Sequence, residues 1–174
     1  RQGNILVATK WGMCWFDRRT ERFMTYSQLS SMTSFEDICE DRDGNVWAAT
    51  TSDGMYRYVP QAKQWWHYAY NSRQADGLTS NALTAITCDR NGKVWVATKG
   101  GGVCVYDKAS DTFRTVSGIM GNVNFIVPDR QGGMWAATEK ELVSIPRGDI
   151  GSVVHVDSPD ELWRGRIMKR AAVC

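Results

Sequence analysis

Four segments of this 174-residue chain superimpose on one another. They read Arg1-Gln-Gly-Asn-Ile-Leu-Val-Ala-Thr9, Arg42-Asp-Gly-Asn-Val-Trp-Ala-Ala-Thr50, Arg90-Asn-Gly-Lys-Val-Trp-Val-Ala-Thr98 and Arg130-Gln-Gly-Gly-Met-Trp-Ala-Ala-Thr138. Their glycines (Gly3, Gly44, Gly92, Gly132) are separated by 41, 48 and 40 residues, and Thr9, Thr50, Thr98 and Thr138 keep the same spacings. Asp41, Asp89 and Asp129 stand three residues before the last three glycines; in the first copy that position falls before Arg1. A repeat of this period constrains the fold more than any other feature, because each unit is one supersecondary element that buries its apolar face on the next.

The copies continue alike. A short turn after each Thr leads into Gly12–Asp17, Gly54–Val59 or Gly102–Asp107, and an aromatic follows 11 residues after each of those glycines, at Phe23, Trp65 and Phe113. The fourth copy is degenerate, running through Glu141–Pro146 and Ser152–Val156, and the apolar stretches Phe35–Cys39, Leu83–Thr87 and Val123–Val127 lead into the Asp turns. About four β-rich runs per period is the strand count of a propeller blade rather than of a helical solenoid. The predicted fold is therefore all-β: a β-propeller of four-stranded antiparallel blades, with blade repeats at approximately 1–38, 39–86, 87–126 and 127–174. Asp-x-x-Gly reads as a tight hairpin turn, Gly supplying positive φ and Asp accepting from nearby backbone N–H groups. Trp47, Trp95 and Trp135, with Leu6 in the first copy, are too large for one small sheet and are expected to pack between blades. That accounts for most of the excess of 8 Trp.

The longer spacing places an insertion around Ala69–Gly77, expected in a loop. Residues 166–174 resemble the strand that leads into an Asp turn, so the chain reads as four blade units cut within one. Either that tail pairs near Arg1 and closes a four-bladed ring, or further blades, from a longer protein or a second copy of the chain, complete a larger one. A blade without a neighbour exposes an apolar face and an open edge, and the larger ring is the expectation.

Composition excludes several classes. Hydrophobic residues at 43% and charged residues at 23% argue against disorder, and no window approaches the length of apolar chain that spans a bilayer, so no membrane insertion by this segment is expected. A net charge of +2 without a basic run gives nucleic acid no electrostatic foothold. The chain starts at Arg1 without an apolar targeting segment, as a mature form, an excised piece or part of something longer would. Five cysteines (Cys14, Cys39, Cys88, Cys104, Cys174) lack metal-ligand spacing and read first as small buried strand residues, with a disulfide or reactive thiol as the alternative.

The pattern Asp-x-x-Gly-x-Val-Trp-x-Ala-Thr, followed by Gly-Gly-Val-x-Val-Tyr-Asp and by Asp-Gly-Leu-x-Ser-Asn before the next strand, resembles the two-component regulator propeller repeat. The third copy matches best, through Asp76–Asn81, Asp89–Thr98 and Gly101–Asp107, and the resemblance extends over about Arg1 to Pro146. It implies seven-bladed propellers, often in tandem, in the periplasmic sensor half of membrane-anchored regulators. Many of these are hybrid histidine kinases of Bacteroides-type bacteria that sense oligosaccharides; others precede diguanylate cyclase or DNA-binding output modules. A chain of four repeats without such modules corresponds to part of the sensor.

On a propeller, ligands are expected over the central channel, on the loops between second and third strands and between blades. The first set is Lys10-Trp11, Thr51–Asp53, Lys99–Gly101 and Glu139-Lys140. The second includes Trp66–Arg73 and 157–164, with Trp163. Trp11 breaks the repeat and could stack on a sugar. Trp66–Arg73 mixes flat rings with forked donors, and strand packing beside a solvated loop is its competing explanation. The candidate ligand-binding residues are Lys10, Trp11, Asp53, Trp66, His67, Tyr70, Arg73 and Lys99.

No catalytic residue, metal or cofactor is expected. His67 and His155 are isolated, Gly-x-Ser-x-Gly is missing, and Glu40–Gly44 resembles a calcium loop only in its first acids. Gly100–Gly102 lacks the Lys-Ser/Thr and helix of a phosphate loop. The leading expectation is a non-enzymatic, periplasmic sensor domain of a two-component regulator, partnered by an oligosaccharide or other small ligand. The alternatives are an interaction scaffold without small ligand and a propeller enzyme like the streptogramin lyases, which need a catalytic His and a metal.

Overall fold

The computed structural model describes residues 5–10, 12–25, 34–74 and 76–156. The strands follow the repeat. Blade 1 contains β1 (Ile5–Thr9), β2 (Gly12–Asp17) and β3 (Arg22–Thr25); blade 2 contains β4 (Phe35–Glu40), β5 (Val46–Thr50), β6 (Met55–Val59) and β7 (Gln64–Tyr68). Blade 3 contains β8 (Leu83–Cys88), β9 (Val94–Thr98), β10 (Val103–Asp107) and β11 (Thr112–Thr115); blade 4 contains β12 (Val123–Pro128), β13 (Met134–Thr138), β14 (Leu142–Ile145) and β15 (Val154–Val156). Each blade is an antiparallel sheet with strands in chain order, four-stranded in blades 2 to 4 and three-stranded in the described part of blade 1. In step with the repeat, β1 corresponds to β5, β9 and β13.

The strands β4, β8 and β12 stand side by side at the inner edge, as the blades of a propeller do. The sheets of blades 2 to 4 start with the strand that leads into an Asp turn, a few residues ahead of the unit boundaries drawn from the sequence. The tail strand proposed at 166–174, and the stretch 157–164 with Trp163, lie outside the described residues.

The Asp turns carry more than the hairpin. Gly44, Gly92 and Gly132 have φ of 81°, 81° and 87°, which an L side chain adopts only under strain. One carboxylate oxygen of Asp41 accepts from the N–H groups of Asp43 and Asn45, both at 2.9 Å. Asp89 does the same for Asn91 and Lys93 at 2.8 and 2.9 Å, and Asp129 for Gln131 and Gly133 at 2.8 and 2.7 Å. The second oxygen takes the indole N–H of the repeat tryptophan: Trp47 donates to Asp41 at 2.8 Å and Trp95 to Asp89 at 3.0 Å. That bond satisfies the one polar atom of the indole, so both rings can be wholly buried.

The core lies between blades. Met13, Phe35, Val46 and Ala48 join blades 1 and 2. Trp47, Met55, Ile86, Val96 and Phe113 join blades 2 and 3, and Trp95, Val103, Ile126, Met134 and Val143 join blades 3 and 4. Trp135 departs from expectation: it is half-buried, on a blade followed by no further sheet among the described residues. Cys14, Cys39 and Cys88 are half-buried, Cys104 is buried, and all four are unbridged.

Candidate functional site: the polar mouth of the inner strands

Three inner strands share one irregularity. The pairing of β4 with β5 shifts between Phe35 and Asp37, that of β8 with β9 between Leu83 and Ala85, and that of β12 with β13 between Val123 and Phe125. Each bulge holds one extra residue: Glu36, Thr84 and Asn124. A bulge takes its side chain out of the alternating pattern and re-aims it. Here all three side chains border an open cavity of about 530 Å³ at the mouth of the channel, with Thr51, Lys99 and Glu139 and with Ala82, Leu83 and Asn122.

These residues are equivalent positions of the repeat. Glu36, Thr84 and Asn124 are 48 and 40 residues apart, as are Thr51, Lys99 and Glu139. Blades 2 and 3 hold them in the same frame. Thr50 Oγ1 donates to the Gly54 carbonyl at 2.8 Å and accepts from the Asp53 N–H at 2.8 Å. Thr98 clamps Gly102 and Gly101 in the same way, at 2.9 and 3.1 Å. The Thr51 and Lys99 N–H groups donate to the carbonyls of Ser34 and Ala82 at 3.0 and 2.8 Å. In blade 4 a side-chain bond replaces that link, Asn122 Nδ2 donating to Glu139 Oε1 at 2.9 Å.

The Thr84 hydroxyl donates to the Val123 carbonyl of the next inner strand. Asp37 accepts from the Ile38 and Ile86 N–H groups, both at 2.9 Å, and so ties β4 to β8. Burial pushes its carboxyl above the ordinary value although those two bonds pull the other way. The mouth thus presents one ammonium, two carboxylates, two amides and two hydroxyls on a rigid rim. It can donate to and accept from a polyhydroxylated ligand along its length.

Lys99 lines this mouth, and Lys10 holds the equivalent repeat position in the exposed turn between β1 and β2. Trp11 lies outside the described residues. Asp53 is near the mouth, but its carboxylate accepts from the Tyr56 hydroxyl at 2.5 Å, and its carbonyl is 2.6 Å from His67 Nε2. His67 also stacks on Tyr56, with centroids 4.4 Å apart.

Trp66 and His67 are neighbours in β7, not in a loop, so they face opposite sides of the sheet. The expected aromatic cluster is therefore divided. His67 sits with Tyr56, whereas Trp66 lies over the Arg57 guanidinium at 5.3 Å. Tyr70 and Arg73 lie in the exposed loop after β7, where the Tyr70 N–H donates to Asn81 Oδ1 at 2.6 Å and the Arg73 N–H to Asn71 Oδ1 at 3.0 Å.

Sequence reasoning missed the three bulge residues. Their signal was one polar residue at the same repeat position inside three apolar runs. It also missed Arg57, whose guanidinium lies 5.2 to 5.5 Å from the ring centres of Trp47, Trp66, Tyr68 and Tyr106. Arg57 bonds the Tyr106 hydroxyl and Asp111, and Asp111 Oδ1 also accepts from Tyr68 and Tyr106 at 2.7 and 2.6 Å. Burial and the bond to Asp111 push the Tyr68 hydroxyl far above its ordinary pKa. This cage ties blade 2 to blade 3. Arg57 and Tyr106 also border a cavity of about 520 Å³ that includes Asp41 and Asn91 of the Asp turns, at the far end of the inner strands from the mouth.

Residues 28–52 and 77–100 match the two component regulator propeller family, and the chain carries repeats of that family. No curated protein matches the chain. Among solved structures, the chain is similar to the extracellular domain of a hybrid two component system from B. thetaiotaomicron. The identity is 25% and the TM-score 0.72, over 90% of this chain and 23% of that one. It is also similar to virginiamycin B lyase from Staphylococcus aureus, at 15% identity and TM-score 0.70 over 92% of this chain and 54% of that one. That second likeness is one of fold. The chain thus spans under a quarter of the length of the two-component domain and is a propeller domain related to the extracellular domains of such systems. No helix among the described residues is long and apolar enough to cross a membrane.

Proposed function

We propose that this chain is part of the periplasmic, non-enzymatic sensor region of a two-component regulator, and that it binds an oligosaccharide at the mouth of the inner strands. One observation carries the reading. At two repeat positions the side chain changes, from Glu36 to Thr84 to Asn124 on a bulge kept in all three blades, and from Thr51 to Lys99 to Glu139 on a turn whose backbone link is kept in blades 2 and 3. A rim needed only for packing would repeat its residues as the Asp turns do. A rim that varies on a fixed frame suits a ligand whose successive groups differ, as the hydroxyls of a sugar chain do. Such binding would act on the output by altering how adjacent blades pack.

The lyase-like reading has less support. His67 and His155 occupy equivalent outer-strand positions in blades 2 and 4, each held by an acid of its own blade. His67 Nε2 is 3.6 Å from Asp53 Oδ1 and His155 Nδ1 is 2.8 Å from Glu141 Oε2. Neither borders the mouth.

The test is a thermal-shift screen of the chain against plant, host and microbial oligosaccharides, since a ligand bound only by the folded state raises the melting temperature. A saturable shift is expected, with affinity weakened roughly tenfold or more in Lys99→Ala as a charge-assisted hydrogen bond is lost. A shift that Lys99→Ala and Asn124→Ala leave unchanged would move the ligand off this rim. No shift with any sugar would favour a scaffold that takes no small ligand.

A further inference from the structure

The bottom ends of β4 and β8 carry a pair of thiols that the repeat does not explain. Cys39 stands two residues before its turn aspartate and Cys88 one residue before its own, so they are not equivalent positions. What brings them together is the register between the two inner strands. Asp37 Oδ2 accepts from the Ile86 N–H at 2.9 Å, and further along the Arg42 guanidinium donates to the Arg90 carbonyl. The strands therefore run in the same direction, residue 37 beside 86. Two steps along each, on the same face, place Cys39 beside Cys88. Both pack on the core between blades 2 and 3.

Their surroundings differ in a way that matters for chemistry. Cys88 borders an open groove with Glu40, Asp41, Arg42, Asp89 and Gly92. Cys39 does not border it, and the neighbouring Cys88 together with burial pushes its thiol far above the ordinary value. Cys88 is thus the thiol of the pair that lines the groove.

We propose that Cys39 and Cys88 form a reversible disulfide that locks blade 2 to blade 3 at the base of the channel. The oxidant is a small or protein disulfide of the surrounding compartment. Cys88, having lost its proton to water, attacks one sulfur of that disulfide and releases the first donor thiol. Cys39 then gives up its proton, attacks Cys88 Sγ and expels the second. Two S–H bonds and the donor S–S bond are broken; one S–S bond and two donor thiols are formed, and two electrons pass to the donor. A dithiol reductant reverses the sequence. The lock closes a loop of backbone that includes the whole of blade 2 beyond β4, at the far end of the inner strands from Lys99.

The test uses the complete chain and oxidised glutathione under native conditions, followed by alkylation of the remaining thiols and peptide mass mapping. The expected product has lost two of its five thiols, is lighter by about 2 Da for the two hydrogens removed, and yields one cross-linked peptide pair containing Cys39 and Cys88. In Cys39→Ser the reaction should halt with one glutathione on Cys88. Oxidation of urea-unfolded chain should scatter the pairing. If native oxidation leaves both thiols alkylatable, stops at mixed disulfides in the unaltered chain, or joins either cysteine to Cys14, Cys104 or Cys174, the proposal is overturned. The mapping on unaltered protein decides the matter even if the serine variant does not fold.

Discussion

Phe23 in blade 1 and Phe113 in blade 3 occupy the same place in the repeat, 11 residues after the strand-opening glycine, yet Phe23 is 65% exposed and Phe113 1%. Their sheets have the same register, each aromatic lying across from an aromatic of the preceding strand: Phe16 opposite Phe23 and Tyr106 opposite Phe113. The difference is the neighbour. Phe113 also meets Trp47 and Tyr68 of blade 2 at 6.1 and 5.5 Å between ring centres, while Phe23 has its partner Phe16 at 5.0 Å and no described blade on its outer side. Repeat position therefore specifies a side chain's direction, and burial comes from what stands opposite. A propeller is stabilised through its interfaces, one blade completing the next.

Truncating the two aromatics sharpens this contrast most. Phe113→Ala should cost about 3–5 kcal/mol, as a fully buried aromatic does, and Phe23→Ala under about 1 kcal/mol, as an exposed one does. Denaturant titration of both reads the difference. Equal losses would mean that blade 1 has a partner on its outer side.

A second contrast tests the backbone. Gly102 has φ +75° and a Cβ there would lie 2.1 Å from the Ile119 carbonyl; Gly12 has φ +132° and nothing within 4 Å. Both substitutions strain the backbone, but only one drives an atom into the link to the next blade. Gly102→Ala is expected to cost roughly 3 kcal/mol and Gly12→Ala roughly 1 kcal/mol. Thermal melts that rank them the other way would show that backbone strain, rather than the inter-blade link, sets the cost.

The smallest effect concerns the Arg57 cage. Burial pushes the Asp111 carboxyl up, but the Tyr106 and Tyr68 hydroxyls and the Arg57 guanidinium outweigh it and hold the group below the ordinary value. A carboxyl whose pKa is depressed on folding adds stability above its unfolded value, and that stability is lost as pH falls through the folded value. The melting temperature of the chain should thus fall more steeply below about pH 4 than that of Asp111→Asn. Parallel acid limbs in the two chains would remove Asp111 from the interface's stability.

Much of the fold was legible because repetition amplifies weak local signals. A lone Asp-x-x-Gly or a lone Val-Trp-x-Ala-Thr says little; several at matched spacing specify turn, strand and direction together. The site was less legible. Lys99 was readable from the loop set, but Trp66 and His67 looked like one cluster in a linear reading and are divided by the pleat of β7. Glu36, Thr84 and Asn124 looked like ordinary strand residues, since a bulge depends on pairing with β5, β9 and β13, and pairing is not a property of one segment. Arg57 gave no local sign at all, because three of its rings, Trp47, Trp66 and Tyr68, come from other strands of its sheet and the fourth, Tyr106, from blade 3.

The blade is written in the residues themselves: the turn chemistry of Asp41, Asp89 and Asp129, the alternation that points Trp47 and Trp95 out of their own sheets, and the spacing that makes the blades equivalent. These are short-range consequences of dihedral preference, hydrogen-bonding capacity and period. The assembly of blades settles which equivalent residues are buried, which polar side chains converge on the mouth, and that Cys39 lies beside Cys88. Those outcomes depend on the register between separate sheets, set by contacts such as Asp37 with Ile86 across 49 residues of chain. No local pattern encodes such a distance.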